Sequence, residues 1–402
     1  MRTCGFVASG FEQVRKEFDR NFVERGDIGA AFAATRDGEV VVDLWGGVSD
    51  EAESTPWDRD TAAVIFSGTK GLVATCLLLL VEHGEIDLDA PVAKYWPEFA
   101  QGGKAVITVA DAASHRARLP GIRTPLDESD LTDDRKMARL LAEQKQEDDP
   151  RAALAYHALT YGWLCGELVR RVTGLSIGQF FAHEIARPLG LDVWIGLPSF
   201  LESRVATLCY APAWGSQPQL DETQLAVDGL LQSVWGNPPL FPRDHNPWNT
   251  QRFHSCEIPG VNGIGTARSL ARLYGCLACG GEIDGVRLLS EPTLRRGTTE
   301  LCRFQDPFVD EPMAYAVGFE LQTELERYGP PQDAFGSAGA GGSVHGAWPS
   351  TRVGFSYVMN QMRDDPMSDS RSRVLLRALN DAVERQTDSD DRARRHVLWN
   401  RR

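Results

Sequence analysis

The stretch that most restricts the fold of this chain is the apolar run from Gly71 to Val81, which directly follows Ser67-Gly68-Thr69-Lys70. The run has the length of a buried helix and is too short to cross a membrane. A chain of 402 residues is long enough to build a large core around such a helix. A helix that begins near Ser67 and ends at Gly84 places Ser67 and Lys70 on one face, because residues three apart are neighbours there.

A serine beside a lysine suits nucleophilic catalysis. A Ser hydroxyl is a poor nucleophile until a neighbouring base takes its proton, and a partly desolvated Lys can be neutral enough to do so. The N-terminus of the helix adds unpaired N–H groups and a positive field where an oxyanion would form. The tetrapeptide also fits a second interpretation, an N-capping Ser followed by a surface Lys, so other parts of the chain have to decide.

Strand signals lie at both ends of the chain. After a first helix, two β-rich runs flank Asp37-Gly38, which is among the strongest short hairpin signals. Between about residues 85 and 275 the pattern indicates helices and loops without a convincing series of strands. The strands predicted in the last third of the chain cover residues 316–322, 334–340, 343–347 and 352–360.

These patterns predict an α/β (α+β) fold whose antiparallel sheet is built from both termini and flanked by helices. We expect a sheet domain of residues 1–84 and 263–385 and a mainly helical domain of residues 85–262. The loop 231–262, rich in Pro, Trp and Phe, is either a substrate-facing wall or a poorly ordered lid. Residues 386–402 are expected to form a flexible tail.

Charge and cysteine usage narrow the function classes. A formal charge of -14 and a pI near 5.1 argue against a nucleic-acid or anionic-membrane partner, because most of the surface would repel a polyanion. No signal peptide or membrane span is recognisable, so we expect a cytoplasmic protein whose eight cysteines are reduced thiols. Cys276 and Cys279 form a C-x-x-C without a second pair, which favours a structural role over a metal or redox role.

Two further stretches accompany Ser67-x-x-Lys70. Tyr156-His157-Ala158 lies at the entry to a predicted helix over residues 159–173, and Phe335–Ser343 forms a Gly-rich strand and turn. In their order and separations the three motifs resemble the serine β-lactamase and penicillin-binding-protein superfamily, in particular the class C β-lactamase-related carboxylesterases, often called family VIII esterases. The resemblance extends from about Gly5 to Leu379 and implies the β-lactamase/transpeptidase-like fold.

The resemblance implies that Ser67 is the acyl-accepting nucleophile and that Lys70 and Tyr156 share the base and acid work. Tyr156 can act as a base only if a nearby cation lowers the pKa of its phenol, and Lys70 is the obvious candidate. His115 and His157 invite a Ser-His triad as an alternative. The resemblance gives neither histidine a catalytic role, and a structural role is favoured for both. No metal or organic cofactor is implied.

The third motif, Ser337-Ala338-Gly339, occupies the place where the family usually has Lys-Thr-Gly or His-x-Gly. Its small residues would let a substrate lie against the strand, with Ser337 and Gly339 as substrate-binding positions, and the N–H of Ala340 would pair with that of Ser67 as the oxyanion hole. A Gly-rich turn between strands is the alternative. Ser337 stands where these esterases often carry His. Ala158 replaces the Asn of a Tyr-x-Asn motif, which weakens the case for β-lactam turnover.

The sequence therefore predicts a serine hydrolase that forms an acyl-enzyme on Ser67 and acts as a carboxylesterase on small-molecule esters of small to medium acids. One alternative is an acyltransferase that uses the same acyl-enzyme with an amine or alcohol acceptor. A second alternative, suggested by the altered third motif, is a catalytically silent binding protein on the same fold.

Overall fold

Helices and short strands alternate along the chain, and the computed structural model describes them over residues 3–212, 214, 215, 221–242, 244–363 and 369–399. The helices are α1 (Glu12–Glu24), α2 (Thr69–Glu82), α3 (Val109–Ala113), α4 (Asp134–Glu143), α5 (Thr160–Thr173), α6 (Ile177–Phe181), α7 (Arg187–Leu189), α8 (Glu222–Leu225), α9 (Gly229–Trp235), α10 (Gln251–Ser255), α11 (Ala267–Ala278), α12 (Glu291–Thr298) and α13 (Arg371–Trp399). The strands are β1 (Thr3–Val7), β2 (Gly29–Arg36), β3 (Glu39–Asp50), β4 (Thr55–Pro56), β5 (Ala63–Val64), β6 (Val193–Ile195), β7 (Cys209–Tyr210), β8 (Gly263–Gly265), β9 (Glu282–Ile283), β10 (Val286–Arg287), β11 (Cys302–Gln305), β12 (Pro312–Tyr315), β13 (Glu320–Leu321), β14 (Phe335–Ala338), β15 (Val344–Trp348), β16 (Val353–Met359) and β17 (Gln361–Met362).

The main sheet joins the two ends of the chain, which confirms the predicted architecture. Its strands follow the order β1-β3-β2-β16-β15-β14-β13-β12-β11, with β4 paired to β3, and neighbouring strands are antiparallel. The junction between the N-terminal and C-terminal halves is the pairing of β16 with β2, from Val353 opposite Arg36 to Met359 opposite Ala30. The sheet ends in two strands that were not predicted, β12 and β11. Strand β13 is shorter than the predicted strand 316–322.

The predicted hairpin is formed by β2 and β3. Its turn residues Asp37 and Gly38 have φ angles of 51° and 87°, the left-handed backbone that a two-residue hairpin turn requires. Glycine and aspartate tolerate this conformation better than most residues. Local sequence therefore determines this part of the sheet.

Helix α2 runs through the interior, as its composition predicts. Every residue from Thr69 to Leu80 is buried, and the helix packs against α5, α6, α12 and β14. It begins at Thr69, two residues later than predicted, so Ser67 lies in the turn that precedes it. The contact with β14 brings the second half of the sheet beside the start of α2.

The segment 85–262 contains helices α3 to α10 and, in its described part, only the short strands β6 and β7. The division of the chain into a sheet domain and a mainly helical domain stays a prediction. Helix α13 continues from Arg371 through most of the predicted tail to Trp399, and residues 400–402 lie outside the described residues. The flexibility of that tail also stays a prediction. None of the described helices is long and apolar enough to cross a membrane.

Candidate active site

Ser67 is presented by a sharp turn between β5 and α2. The preceding residue, Phe66, has a φ angle of 44°, a left-handed conformation that costs a non-glycine residue about 1–3 kcal/mol. The Phe66 ring is buried edge-on against Phe241 and Trp248, with centroids 5.6 and 5.4 Å away, and this packing holds the turn in place. A Cβ at Gly68 would lie 2.6 Å from His345, so the turn has no room for a larger residue there.

The three sequence motifs meet at the Ser67 hydroxyl. Lys70 Nζ lies 3.0 Å from Ser67 Oγ, and the Tyr156 hydroxyl lies 2.7 Å from the same oxygen. The amine also lies 4.7 Å from the centre of the Tyr156 ring. The helical spacing explains the first distance. The second joins residues that are 89 positions apart in the chain.

Lys70 is buried beside Ser67 among backbone carbonyl oxygens. Its amine is buried and donates to the carbonyl oxygens of Ala158, at 2.7 Å, and Gly260, at 2.9 Å. Burial lowers the pKa of Lys70 well below its usual value, and among the described residues no carboxylate forms an ion pair with it. A neutral amine has two N–H groups and one lone pair. If the Lys70 amine is neutral, its two N–H groups serve the two carbonyl oxygens and its lone pair accepts the Ser67 hydroxyl proton.

A Lys70→Met variant tests this protonation state through stability. In the unfolded chain a lysine is protonated below a pH of about 10.4, whereas folded Lys70 stays neutral to a lower pH, so the unfolded state binds more protons. The stability of the parent chain should therefore rise with pH by about 1.4 kcal/mol per unit between the two pKa values, relative to the variant. Urea unfolding of both proteins at several pH values above neutrality measures this difference.

Lys145 provides the control for that measurement. It is exposed, and a hydrogen bond to Asp148 raises its pKa, so a Lys145→Met variant should show no such gain of the parent chain with rising pH. A difference between the parent chain and Lys70→Met that does not change with pH would contradict a neutral Lys70.

The protonation of Tyr156 bears on the base and acid work that it is predicted to share with Lys70. Burial raises the pKa of its phenol, with Glu320 adding to the rise and the hydrogen bond to Ser67 opposing it. The phenol therefore keeps its proton near neutral pH and donates a hydrogen bond to Ser67 Oγ. The Tyr156 backbone N–H is itself held by the Asp306 carboxylate at 2.7 Å.

The third motif lies directly against the Ser67 turn. The Ser337 hydroxyl donates to the carbonyl oxygen of Ser67 at 2.7 Å and is buried, so it braces the turn and does not line the cavity. A Cβ at Gly339 would lie 2.1 Å from the carbonyl oxygen of Ile65, so only glycine fits there. Within the described chain, neither the Ser67 N–H nor the Ala340 N–H donates to a protein acceptor, and both residues line the cavity. Two free donors at this place suit an oxyanion.

A cavity of about 200 Å³ opens in front of Ser67. One wall is aromatic and apolar, and four of its residues come from the loop 231–262, consistent with its interpretation as a substrate-facing wall. That wall is formed by Phe66, Trp214, Trp235, Leu240, Phe241 and Trp248. Such a surface favours an apolar group of the ligand through burial of its area.

The charged residues of the cavity were missed by sequence reasoning. Arg327 lies between Glu311 and Glu320, with its Nε 3.3 Å from a Glu320 oxygen, and the Tyr328 hydroxyl donates to Glu320 at 2.8 Å. At the other end of the cavity lie Arg363, Asp369 and Arg373. No spacing signal could have found these residues, because they are far apart in the chain and only the folded structure brings them to one cavity.

The two histidines do not contact Ser67. His157 donates from Nδ1 to the carbonyl oxygen of Ala155 at 2.7 Å and accepts the Leu119 N–H at Nε2. His115 accepts the N–H of His157 at Nδ1. Both rings are fully buried, and burial lowers the pKa of both. The geometry therefore offers no Ser-His triad and agrees with the structural roles favoured from the sequence.

The C-x-x-C lies near the end of α11, away from the cavity. Cys276 is buried and Cys279 is partly exposed, and both are free thiols. Burial raises the pKa of Cys276 to about 12, so the thiol stays protonated and unreactive near neutral pH. This agrees with the favoured structural role.

Comparison with known proteins places the chain in a family. The family model described as "Beta-lactamase" matches residues 18–380. The curated protein "Esterase/beta-lactamase LipL" of Mycobacterium tuberculosis (strain ATCC 25618 / H37Rv) is 35% identical over 379 residues, which cover 90% of this chain and 83% of that protein.

Solved structures agree with this assignment. A structure described as a family VIII carboxylesterase superposes with a TM-score of 0.87 at 38% identity and covers 95% of this chain and 100% of its own. A penicillin-binding protein homolog from Caulobacter crescentus superposes with a TM-score of 0.86 at 36% identity, and the match covers 95% of this chain and 100% of the homolog. EstA from Arthrobacter nitroguajacolicus Rue61a superposes with a TM-score of 0.82 at 31% identity, and the match covers 96% of this chain and 99% of EstA. The chain therefore belongs to the beta-lactamase family and is a serine hydrolase.

Proposed function

We propose that this protein is a carboxylesterase that acts through an acyl-enzyme on Ser67. The observation that carries the proposal is the pair of contacts at Ser67 Oγ, which lies between a buried amine whose pKa is lowered and a phenol whose pKa is raised. The named esterases among the similar proteins support the same activity.

In the acylation step, Lys70 Nζ takes the Ser67 hydroxyl proton as Oγ attacks the ester carbonyl carbon. The bond from Oγ to carbon forms, and the carbonyl oxygen becomes an oxyanion that the N–H groups of Ser67 and Ala340 stabilise. The bond from carbon to the alcohol oxygen then breaks. Tyr156 gives its proton to the departing alkoxide, and the Lys70 ammonium restores the proton of the phenol.

Hydrolysis of the acyl-enzyme by water completes the cycle, with Lys70 again as the base. The neutral Lys70 amine takes a proton from water as the water oxygen attacks the acyl carbon. The bond between the acyl carbon and Ser67 Oγ breaks, and Oγ recovers a proton, so the free acid leaves and the site returns to its starting state. No metal or organic cofactor takes part in these steps.

The aromatic wall supports esters with an apolar acyl or alcohol group. Trp235 and Phe241 lie on the same cavity as Ser67, so an apolar group bound there gains about 25 cal/mol for each Å² removed from water. In the third motif, Ser337 uses its hydroxyl to brace the Ser67 turn, and no cation occupies that position. An anionic substrate group therefore finds no cationic side chain at position 337, and a neutral ester does not need one there.

Intact-mass measurement after incubation with a fluorophosphonate tests the proposal. We expect one covalent adduct for each chain, located on Ser67 by peptide mapping, and no adduct on a Ser67→Ala variant. Ser343 is a matched control because it is a second serine on the cavity wall, and a Ser343→Ala variant should still be labelled. Failure of the parent chain to label would contradict the proposal and favour a catalytically silent binding protein.

A further inference from the structure

We propose that His115 is a positioning residue that holds Tyr156 in line with the Ser67 hydroxyl. The inference rests on the proposed function, since Tyr156 acts as the proton donor there. His115 touches neither Ser67 nor the cavity, so its effect must pass through Tyr156. Two independent sets of contacts carry the argument, one to the ring of Tyr156 and one to the backbone that follows it.

The first set of contacts fixes the phenol ring. His115 is fully buried, and its ring centroid lies 5.0 Å from that of Tyr156 and 4.3 Å from that of Tyr315. Tyr315 is stacked on Tyr156, with centroids 6.2 Å apart and ring planes 17° apart. The phenol ring is therefore packed against two buried rings that also pack against each other. A side chain with only two rotatable bonds has little freedom to tilt in such a site.

The second set of contacts fixes the backbone. His115 Nδ1 accepts the N–H of His157 at 3.0 Å, and the Asp306 carboxylate accepts the N–H of Tyr156 at 2.7 Å. Both N–H groups at the start of this segment are therefore anchored by buried side chains. The next residue, Ala158, supplies the carbonyl oxygen that receives one N–H of Lys70. His115 contacts the N–H of His157, whereas Lys70 contacts the carbonyl oxygen of Ala158, so the His115 contact is the one next to Tyr156.

The hydrogen bond also defines the tautomer of His115. Because Nδ1 accepts from a backbone N–H, the neutral ring must carry its proton on Nε2. Within the described part of the chain, Nε2 is buried without a hydrogen-bond partner. The backbone φ angle at His115 is 64°, so a replacement must tolerate left-handed backbone. Asparagine satisfies this condition and places its amide oxygen near the position of Nδ1.

Four variants test the role of His115: His115→Asn, His115→Gln, Tyr156→Phe and the double variant His115→Gln with Tyr156→Phe. The Asn variant retains an acceptor near Nδ1, whereas the amide oxygen of Gln reaches beyond it. We expect His115→Gln to lower kcat for an alkyl ester by roughly 10–100-fold, since a misplacement of about 1 Å costs on the order of 100-fold. His115→Asn should recover most of this loss.

Two further readouts separate positioning from general damage. A p-nitrophenyl ester has a leaving group that needs little protonation, so His115→Gln should lower its kcat by a smaller factor than for the alkyl ester. In the Tyr156→Phe background, His115→Gln should cause little additional loss, because the group that it positions is absent.

Three results would overturn the inference. These are equal kcat values for the Asn and Gln variants, the same fold-loss for both kinds of ester, or a full additional loss in the Tyr156→Phe background. Fluorophosphonate labelling distinguishes this failure from failure of the proposed function, because an intact Ser67 nucleophile still labels in the His115 variants. If His115→Gln does not fold, the test compares the kcat of His115→Asn with that of Tyr156→Phe. The Asn variant should lose much less kcat than Tyr156→Phe. An equally large loss would contradict the inference.

Discussion

A Ser67→Ala variant is expected to lose kcat/KM for p-nitrophenyl esters by a factor of about 10⁴ or more. Removing the nucleophile of a serine hydrolase leaves only binding and the oxyanion donors, and such losses reach about 10⁶ in kcat. In this site the loss should be near that range, because Lys70 and Tyr156 both contact the Ser67 hydroxyl, and no second side-chain hydroxyl among the described residues hydrogen-bonds to both. Steady-state kinetics on the purified variant measures the loss.

The Ser67→Ala variant also tests whether Ser67, Lys70 and Tyr156 act as a unit. Lys70→Met added to Ser67→Ala should cause little further loss, because a base without its nucleophile has no proton to take. Thermal unfolding confirms that the variant is folded, which is expected because Ser67 lies in a turn and is only partly buried. Retention of full esterase activity by Ser67→Ala would show that the mechanism is wrong.

An Arg371→Met variant is expected to lower the free energy of unfolding by about 3–5 kcal/mol. The Arg371 guanidinium is fully buried between Asp27, at 3.0 Å, and Asp369, at 2.6 Å. It also donates to the carbonyl oxygen of Gly341, at 2.9 Å, in the turn that follows the third motif. Methionine fills similar space but leaves two buried carboxylates without a cation. Urea unfolding at neutral pH measures the change.

The pH dependence of that loss provides an internal check. Burial already raises the pKa of Asp27, and removing Arg371 removes the cation that opposes this rise. Protonation of Asp27 then relieves the unpaired charge, so the destabilisation by Arg371→Met should shrink as pH falls. Arg20→Met is the matched control, because Arg20 is about half exposed and its ion pairs are worth roughly 0–1 kcal/mol. A loss no larger than that of the control would contradict the structural role of Arg371.

Local sequence patterns were sufficient for several elements of the fold. Asp37-Gly38 defined the hairpin because its residues tolerate the left-handed turn, and the unbroken apolar run defined α2 because such a helix must be buried. Short elements were harder, since β13 has only two residues and its pairing with β14 depends on the neighbouring strands. Strand pairing over long sequence separations carries no local signal, which is why Glu320 and Arg327 were not predicted to line the cavity.

For the site, the sequence by itself determined that Ser67 and Lys70 share one edge of a helix start, because that distance follows from helical geometry. Only the tertiary structure decided the protonation states on which the chemistry depends. The pKa of Lys70 is lowered because the folded chain buries its amine, and the carbonyl oxygens that it contacts belong to Ala158 and Gly260, 88 and 190 residues further along the chain. Tyr156 is protonated because packing removes its phenol from water. A pKa depends on the groups that surround a side chain in space, and its neighbours in sequence supply few of them.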